Sequence, residues 1–280
     1  MAHIGLMGAG TMGGGIAQVA LEHGDEVWLY DALPDAPGRA LAHMRGFWQR
    51  SVEKGQRTPD EVEALAARFH PATDLDELAA CAWVIEAAPE DLALKRNLFQ
   101  QLDALVQADA VLATNTSSLS ITAIAAATER PERVVGMHFF NPAPLLPLVE
   151  VVQGARTAEA VVQATVALAE RWGKRPVVAQ DTPGFIVNRV ARPFYLEALR
   201  LLGDGVADVA TIDRLVRSAG FRMGPFELLD LIGLDVNLAV TQSVYDATFG
   251  EPRFRPHPIQ ARLVAAGRLG RKTGGGFYPG

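Results

Sequence analysis

Six residues near the start of the chain, Gly8-Ala9-Gly10-Thr11-Met12-Gly13, restrict its fold more than any other stretch. An apolar run, Ile4-Gly5-Leu6-Met7, precedes them and reads as a short buried strand. Ile16-Ala17-Gln18-Val19-Ala20-Leu21 follows and reads as a helix ending near Gly24. A second apolar run, Val27-Trp28-Leu29-Tyr30, stops on an acid, Asp31. Strand, glycine turn, helix, strand and acid within about 30 residues form the arrangement that binds a dinucleotide. The three glycines serve different ends. Gly8 allows the tight turn, Gly10 the close approach of a pyrophosphate, and Gly13 the packing of helix on strand. The helix N-terminus adds unpaired N–H groups and the positive end of its dipole. Ala9, Thr11 and Met12 complete the loop. Asp31 lies 21 residues after Gly10, the spacing of an acid that meets the adenine ribose. A carboxylate there repels a 2′-phosphate, and Ala32 and Leu33 offer no cation to receive one. The expected cofactor is NAD.

Beyond this unit, short apolar runs alternate with helical patterns up to about residue 180. Trp83–Ala87, Ala110–Thr114, Arg133–His138, Leu148–Val152 and Pro176–Ala179 read as strands, and 92–106 and 157–172 as helices. Strands this apolar, alternating with helices, predict a Rossmann-type doubly wound, mostly parallel sheet covered on both faces. An insert at about 36–63 reads as a helical arm, basic around Arg45, Arg50, Lys54 and Arg57. It is either a solvated hairpin or a cover over a phosphate-bearing ligand, and its Phe47-Trp48 pair is either core or ligand lining. Asp181-Thr182-Pro183-Gly184 reads as a joint. This gives a dinucleotide-binding domain over 1–182 and a smaller all-α domain over 183–280. Helices are expected at about 185–202, 207–219, 225–231 and 236–248. The first carries Ile186, Val190, Phe194, Leu196, Leu199 and Leu202, a surplus that suggests burial against the first domain or another subunit.

A net charge of −6 argues against a nucleic-acid partner or an anionic membrane surface. Cys81 is the single cysteine and the six histidines are scattered, so no disulfide or metal site is expected. Glycines break up the N-terminal apolar residues without a basic segment before them, and no run reaches the roughly 18 apolar residues that span a bilayer. A cytoplasmic protein is the expectation.

The polar residues at strand ends carry the chemistry. Asn115-Thr116-Ser117-Ser118 follows one strand and His138-Phe139-Phe140-Asn141-Pro142 ends another. Ligands of open α/β sheets bind outside the carboxyl ends of strands. Hydride transfer from an alcohol to NAD needs a base for the hydroxyl proton, and an imidazole suits that role. A carboxylate on its other nitrogen fixes the tautomer, and Glu150, inside an otherwise apolar strand, is the candidate. Taken singly these are ordinary residues: a satisfied histidine, turn formers, an acid facing solvent from an edge strand. Together, beside a dinucleotide turn, they point to a dehydrogenase.

Those stretches, with Asp181–Arg189, Gly224-Pro225-Phe226-Glu227-Leu228-Leu229-Asp230 and Lys272-Thr273-Gly274-Gly275-Gly276-Phe277-Tyr278, resemble the L-3-hydroxyacyl-CoA dehydrogenase family. The resemblance is collinear and is greatest to the short 3-hydroxybutyryl-CoA dehydrogenases. It implies NAD-dependent, reversible oxidation of an L-3-hydroxyacyl-CoA to the 3-oxoacyl-CoA, as in β-oxidation of fatty acids. It implies His138 as general base, Glu150 as its partner, Ser117 between substrate and nicotinamide, and Asn188 on the reacting oxygen. Glu90, Lys95, Asn141 and Lys272 match cofactor contacts, and Lys54 matches a lysine that meets the CoA phosphates. The family also implies a homodimer through the helical domain. Pro147 departs from the pattern, standing where many members carry lysine. The same fold and base serve relatives that oxidise sugar acids such as gulonate, which is the alternative substrate class.

Overall fold

The computed structural model describes residues 1–279, which divide by their internal contacts into Met1–Asp181 and Thr182 onward. The first unit runs β1 (His3–Met7), α1 (Thr11–Glu22), β2 (Glu26–Tyr30), α2 (Ala36–Glu53), α3 (Pro59–Ala66), β3 (Phe69–Ala72) and β4 (Trp83–Glu86). It continues through α4 (Leu92–Leu105), β5 (Val111–Thr114), α5 (Ile121–Ala125), β6 (Val134–Phe139), β7 (Leu148–Gln153), α6 (Glu159–Arg171) and β8 (Arg175–Gln180). The eight strands form one sheet in the order β3-β2-β1-β4-β5-β6-β7-β8. Within this sheet, among the described residues, only the β6–β7 pair is antiparallel. The fold is a Rossmann-like, mostly parallel sheet. Strand order reverses between β1 and β4, and the carboxyl ends flanking such a switch point form a ligand crevice.

The central strands β1, β4, β5, β6 and β7 are apolar because both faces are covered, whereas the edge strand β8 leaves Val177 and Val178 exposed, contrary to the sequence expectation of a sheet covered on both faces throughout. Ile4, Leu6, Val27, Leu29, Ile85 and Val135 lie in one core with Ile16, Val19 and Leu21 of α1. The basic arm is the hairpin of α2 and α3, and it is not merely solvated. Trp48 is fully buried in the sheet's core, and its indole N–H donates to Glu22 Oε1 at 2.7 Å. Its neighbour Phe47 is half-buried and lines a cleft. The pair therefore splits between core and lining. Strand β3 was not expected from the sequence. Its four residues include Pro71 and pair only with β2, at the sheet's edge, where a missing N–H is tolerated.

The second unit is helical: α7 (Val187–Gly203), α8 (Val209–Ser218), α9 (Pro225–Ile232), α10 (Leu234–Ala247) and α11 (Pro258–Ala265). Asp208 caps α8, accepting from the Thr211 N–H at 2.7 Å. Leu196 and Leu199 of α7 are buried in this unit's own core with Phe226, Leu229 and Leu234. That corrects the sequence reading for these two residues, whose apolar surface needs no second domain or subunit. Val190 and Ile186 stay exposed. Two buried aspartates close the unit. Asp213 accepts from the N–H groups of Phe226 and Glu227 and from the Tyr278 hydroxyl. Asp230 accepts from the N–H groups of Phe277 and Tyr278. A Cβ at Gly224 would fall 2.3 Å from Asp213, and one at Gly276 2.0 Å from Asp230. The glycines of both C-terminal motifs thus make room for structural carboxylates. Among the described residues, no helix is long and apolar enough to cross a membrane.

Candidate active site

The register of the sheet assembles one edge. Met7 pairs with Tyr30 on one side and with Glu86 on the other. Glu86 pairs with Thr114, and Thr114 with Gly136, two residues before His138. The glycine turn, Asp31, Glu86, the Asn115 turn and His138 consequently share the carboxyl edge of the parallel strands.

At the first of these, the three glycines meet three different surroundings. Gly8 has φ +99°, and a Cβ there would sit 2.6 Å from the Ala87 carbonyl oxygen. A Cβ on Gly13 would lie 1.7 Å from the Gly8 carbonyl oxygen, so helix and turn touch backbone to backbone. Around a Cβ on Gly10 there is nothing within 4 Å. The protein's own packing needs glycine at 8 and 13, whereas at 10 the space is open for a ligand. Asp31 Oδ2 accepts from the Ala9 N–H at 2.6 Å and Oδ1 from the Leu33 N–H at 2.9 Å, which pins the carboxylate against the turn. This donor and acceptor set fits a dinucleotide without a 2′-phosphate. Beside it opens a cleft of about 500 Å³ lined by Gly10, Arg39, His43, Phe47 and Asn141 among others. Lys54 ends α2 as an exposed residue and does not line this cleft.

The second cluster grows from the ends of β4 and β5. Glu86, fully buried, accepts from Lys95 Nζ at 2.5 Å and from the Ala88 N–H at 2.6 Å on Oε1, and from Thr114 Oγ1 at 2.7 Å on Oε2. Lys95 is 1% exposed and also donates to the Ala88 carbonyl at 3.2 Å, with Glu90 Oε2 at 3.5 Å. Glu90 Oε1 in turn accepts from Thr116 Oγ1 at 2.6 Å and from the N–H and Oγ of Ser117 at 3.0 and 3.3 Å. Lys95 is thus a buried link in a chain from Glu86 through Glu90 to Ser117. Glu86 was missed by the sequence reading. An acid within an apolar strand was the available signal, the same one that singled out Glu150.

In the third cluster, His138 and Glu150 face each other directly across the antiparallel β6–β7 ladder. Strand β7 lies inside the sheet, so Glu150 is 1% exposed rather than turned to solvent. Glu150 Oε2 is 2.7 Å from His138 Nδ1. An ionised carboxylate only accepts, so Nδ1 carries the proton and Nε2 is the basic nitrogen. Asn115 Oδ1 accepts from the Phe139 N–H at 2.8 Å, tying the Ser117 turn to the His138 strand. Asn141 follows as an exposed residue, joined to Pro142 by a cis peptide.

The remaining two sequence candidates belong to the helical unit. Asn188 lies in the first turn of α7, its Oδ1 accepting from Arg192 Nη2 at 3.4 Å. Lys272 is exposed and donates to Asp235 Oδ2 at 2.7 Å.

Residues 3–182 match the family described as 3-hydroxyacyl-CoA dehydrogenase, NAD binding domain, and 184–280 match its C-terminal domain. The chain belongs to the 3-hydroxyacyl-CoA dehydrogenase family. It is similar to the 3-hydroxyadipyl-CoA dehydrogenase of Escherichia coli K12, with 51% identity over 98% of this chain and 58% of that relative. The chain thus spans under two thirds of that relative's length. The 3-hydroxybutyryl-CoA dehydrogenase of Bradyrhizobium diazoefficiens is 42% identical over 98% of this chain and 94% of its own. Among solved structures, the (S)-3-hydroxybutyryl-CoA dehydrogenase of Ralstonia eutropha superposes with a TM-score of 0.95 at 40% identity, covering 100% of this chain and 99% of that one.

Proposed function

We propose that this family member is an NAD-dependent dehydrogenase that interconverts an L-3-hydroxyacyl-CoA and its 3-oxoacyl-CoA, with His138 as the general base. The observation that carries the reading is the buried His138–Glu150 pair at 2.7 Å, on the sheet edge that bears the glycine turn. Names of similar proteins, the hydroxybutyryl-CoA and hydroxyadipyl-CoA dehydrogenases, support the acyl-CoA class.

NAD, when bound, supplies the acceptor for the hydride that leaves C3 with its bonding pair. His138 Nε2 takes the proton of the C3 hydroxyl as the C3–O bond becomes a carbonyl. Glu150 holds the imidazole in the tautomer that leaves Nε2 basic and stabilises the imidazolium that forms. In the reverse direction the same imidazolium returns the proton to the forming alkoxide. Ser117, fixed by Glu90, and Asn188, fixed by Arg192, orient the reacting oxygen. Gly8, Ala9, Gly10, Thr11, Met12 and Gly13 present backbone to the pyrophosphate and Asp31 to the ribose. Glu90, Lys95, Asn141 and Lys272 complete the cofactor contacts, Lys95 acting through Glu90, and Lys54 meets the CoA phosphates. The division at 182/183, cytoplasmic placement and a homodimer through the helical unit belong to the same reading. Exposed Val190, Val206, Leu215, Phe221 and Leu231 support the dimer, which a monomeric mass in sedimentation would remove.

The deciding experiment is NADH-dependent reduction of acetoacetyl-CoA by wild type and His138→Gln. A loss of at least about 100-fold in kcat is expected, the low end for general acid–base catalysis. Near-native turnover would reject the base.

A further inference from the structure

Arg192, in the second turn of α7, is 4% exposed, yet no carboxylate meets it among the described residues. Nη1 donates to the Asn237 carbonyl at 3.0 Å and to Thr241 Oγ1 at 2.9 Å, and Nη2 to Asn188 Oδ1 at 3.4 Å. The guanidinium also lies 5.0 Å from the centroid of the Tyr195 ring. All of these partners are neutral. Nε finds no acceptor, and neither does Nδ2 of the buried Asn237 on the facing helix α10. Burial pulls the guanidinium down to about 10, against a small opposing contribution from Tyr195. A desolvated cation with a spare N–H, next to a second spare donor, is costly to keep without an anion. Gln260, which donates to Asn237 Oδ1 at 3.1 Å, has a buried Oε1 without a donor, but the guanidinium itself is short of an acceptor, and a ligand can supply one.

We propose that Arg192 is the counter-ion for a carboxylate at the far end of the acyl chain, so that the substrate is a 3-hydroxyacyl-CoA derived from a dicarboxylic acid. The proposal rests on the acyl-CoA reading and on Asn188 meeting the oxygen at C3. Positions 188 and 192 share one helix face, about 6 Å apart along the axis. A carboxyl group three carbons beyond C3, as in a six-carbon chain, spans less than that, and the guanidinium reaches back toward Asn188, its Nη2 3.4 Å from Asn188 Oδ1. The spare Nε–H beside Nη2 presents the fork that a carboxylate accepts side-on.

The test compares kcat/KM for 3-hydroxyadipyl-CoA with that for 3-hydroxyhexanoyl-CoA, which differ only in a terminal carboxylate against a methyl group. Wild type is expected to favour the dicarboxylyl substrate by at least about 30-fold, the scale for one buried charge pair. Arg192→Met is expected to remove that preference, chiefly by raising KM for the adipyl substrate, and Arg192→Lys to restore part of it. Equal rates on both substrates in wild type would overturn the proposal without recourse to any variant. Equal losses on both substrates in Arg192→Met would also overturn it, leaving Arg192 as a positioning residue for Asn188. No turnover of either thioester would overturn the acyl-CoA reading itself, and this proposal with it.

Discussion

The two units bury charge in different ways. In the sheet unit, acids are matched with bases: Asp25 with Arg171 at 2.8 Å, Glu86 with Lys95 at 2.5 Å, Asp103 with Arg130 at 2.8 Å and Glu150 with His138 at 2.7 Å. In the helical unit, Asp213 and Asp230 rest on backbone N–H groups and a phenol, while Arg192 rests on a carbonyl, a hydroxyl and an amide oxygen. The cause is the supply of unpaired backbone groups. A helical unit has the free amides of helix starts and glycine turns, here at α9 and the Gly276 turn, and a carboxylate can be satisfied by two of them. The interior of a sheet has spent its amides on the ladder, so a buried acid there needs a side-chain cation. Charge–charge pairing fixes both partners, which suits a site that must hold an imidazole or a serine in place. Satisfaction by neutral groups leaves Arg192 with a net charge for something else to meet.

The sharpest way to break this contrast is Lys95→Met. It leaves Glu86 buried without its cation, and a loss of about 3–5 kcal/mol in unfolding free energy is expected from chemical denaturation. A loss below 1 kcal/mol (well under the roughly 3 kcal/mol floor for a broken buried pair) would mean that Thr114 and the Ala88 N–H suffice. Asp230→Asn is expected to cost less, about 1–3 kcal/mol, because one oxygen remains while the new amide N–H opposes a backbone N–H. If it costs more than Lys95→Met, the helical unit depends on charge after all. The smallest effect concerns pH. Burial raises the Asp25 carboxyl, but hydrogen bonds from Arg171, the Ala2 N–H and Trp172 outweigh it and hold the group below the usual carboxylate range. Its stabilising contribution is therefore present above the unfolded value of about 3.9 and is lost as pH falls through the lower folded value. Asp25→Asn is expected to flatten the decline of Tm in that acid window. An unchanged slope would show that these hydrogen bonds to Asp25 contribute no pH-linked stability.

Much of this was legible in the residues. The β1–α1–β2 unit follows from the glycine turn, since apolar run, turn and acid each have one physical use there. Glu150 stood out as a charge in an apolar strand, and the strand's place between β6 and β8 turned it inward. Other elements gave little signal. Strand β3 has four residues and a proline, and α11 buries only Gln260 among its own residues, so neither shows a clear apolar period. Glu86 and Lys95 are nine residues apart and give no sign in sequence that they meet. The arm's Trp48 and Phe47 are adjacent in sequence yet take opposite roles, which only the packing of α2 on the sheet assigns.

By itself the sequence determined the cofactor class, the sheet and which histidine is the candidate base, because each depends on local patterns: a turn that only glycine can make, apolar runs with fixed periods, a polar residue at a strand end. Tertiary structure decided which groups are paired. The antiparallel register put Glu150 opposite His138, the ends of β4 and β5 linked Glu86 to Ser117, and the α7–α10 contact buried Arg192 away from any acid among the described residues. Pairing depends on distances between residues far apart in the chain, and those are set by how the elements pack rather than by any one element's composition.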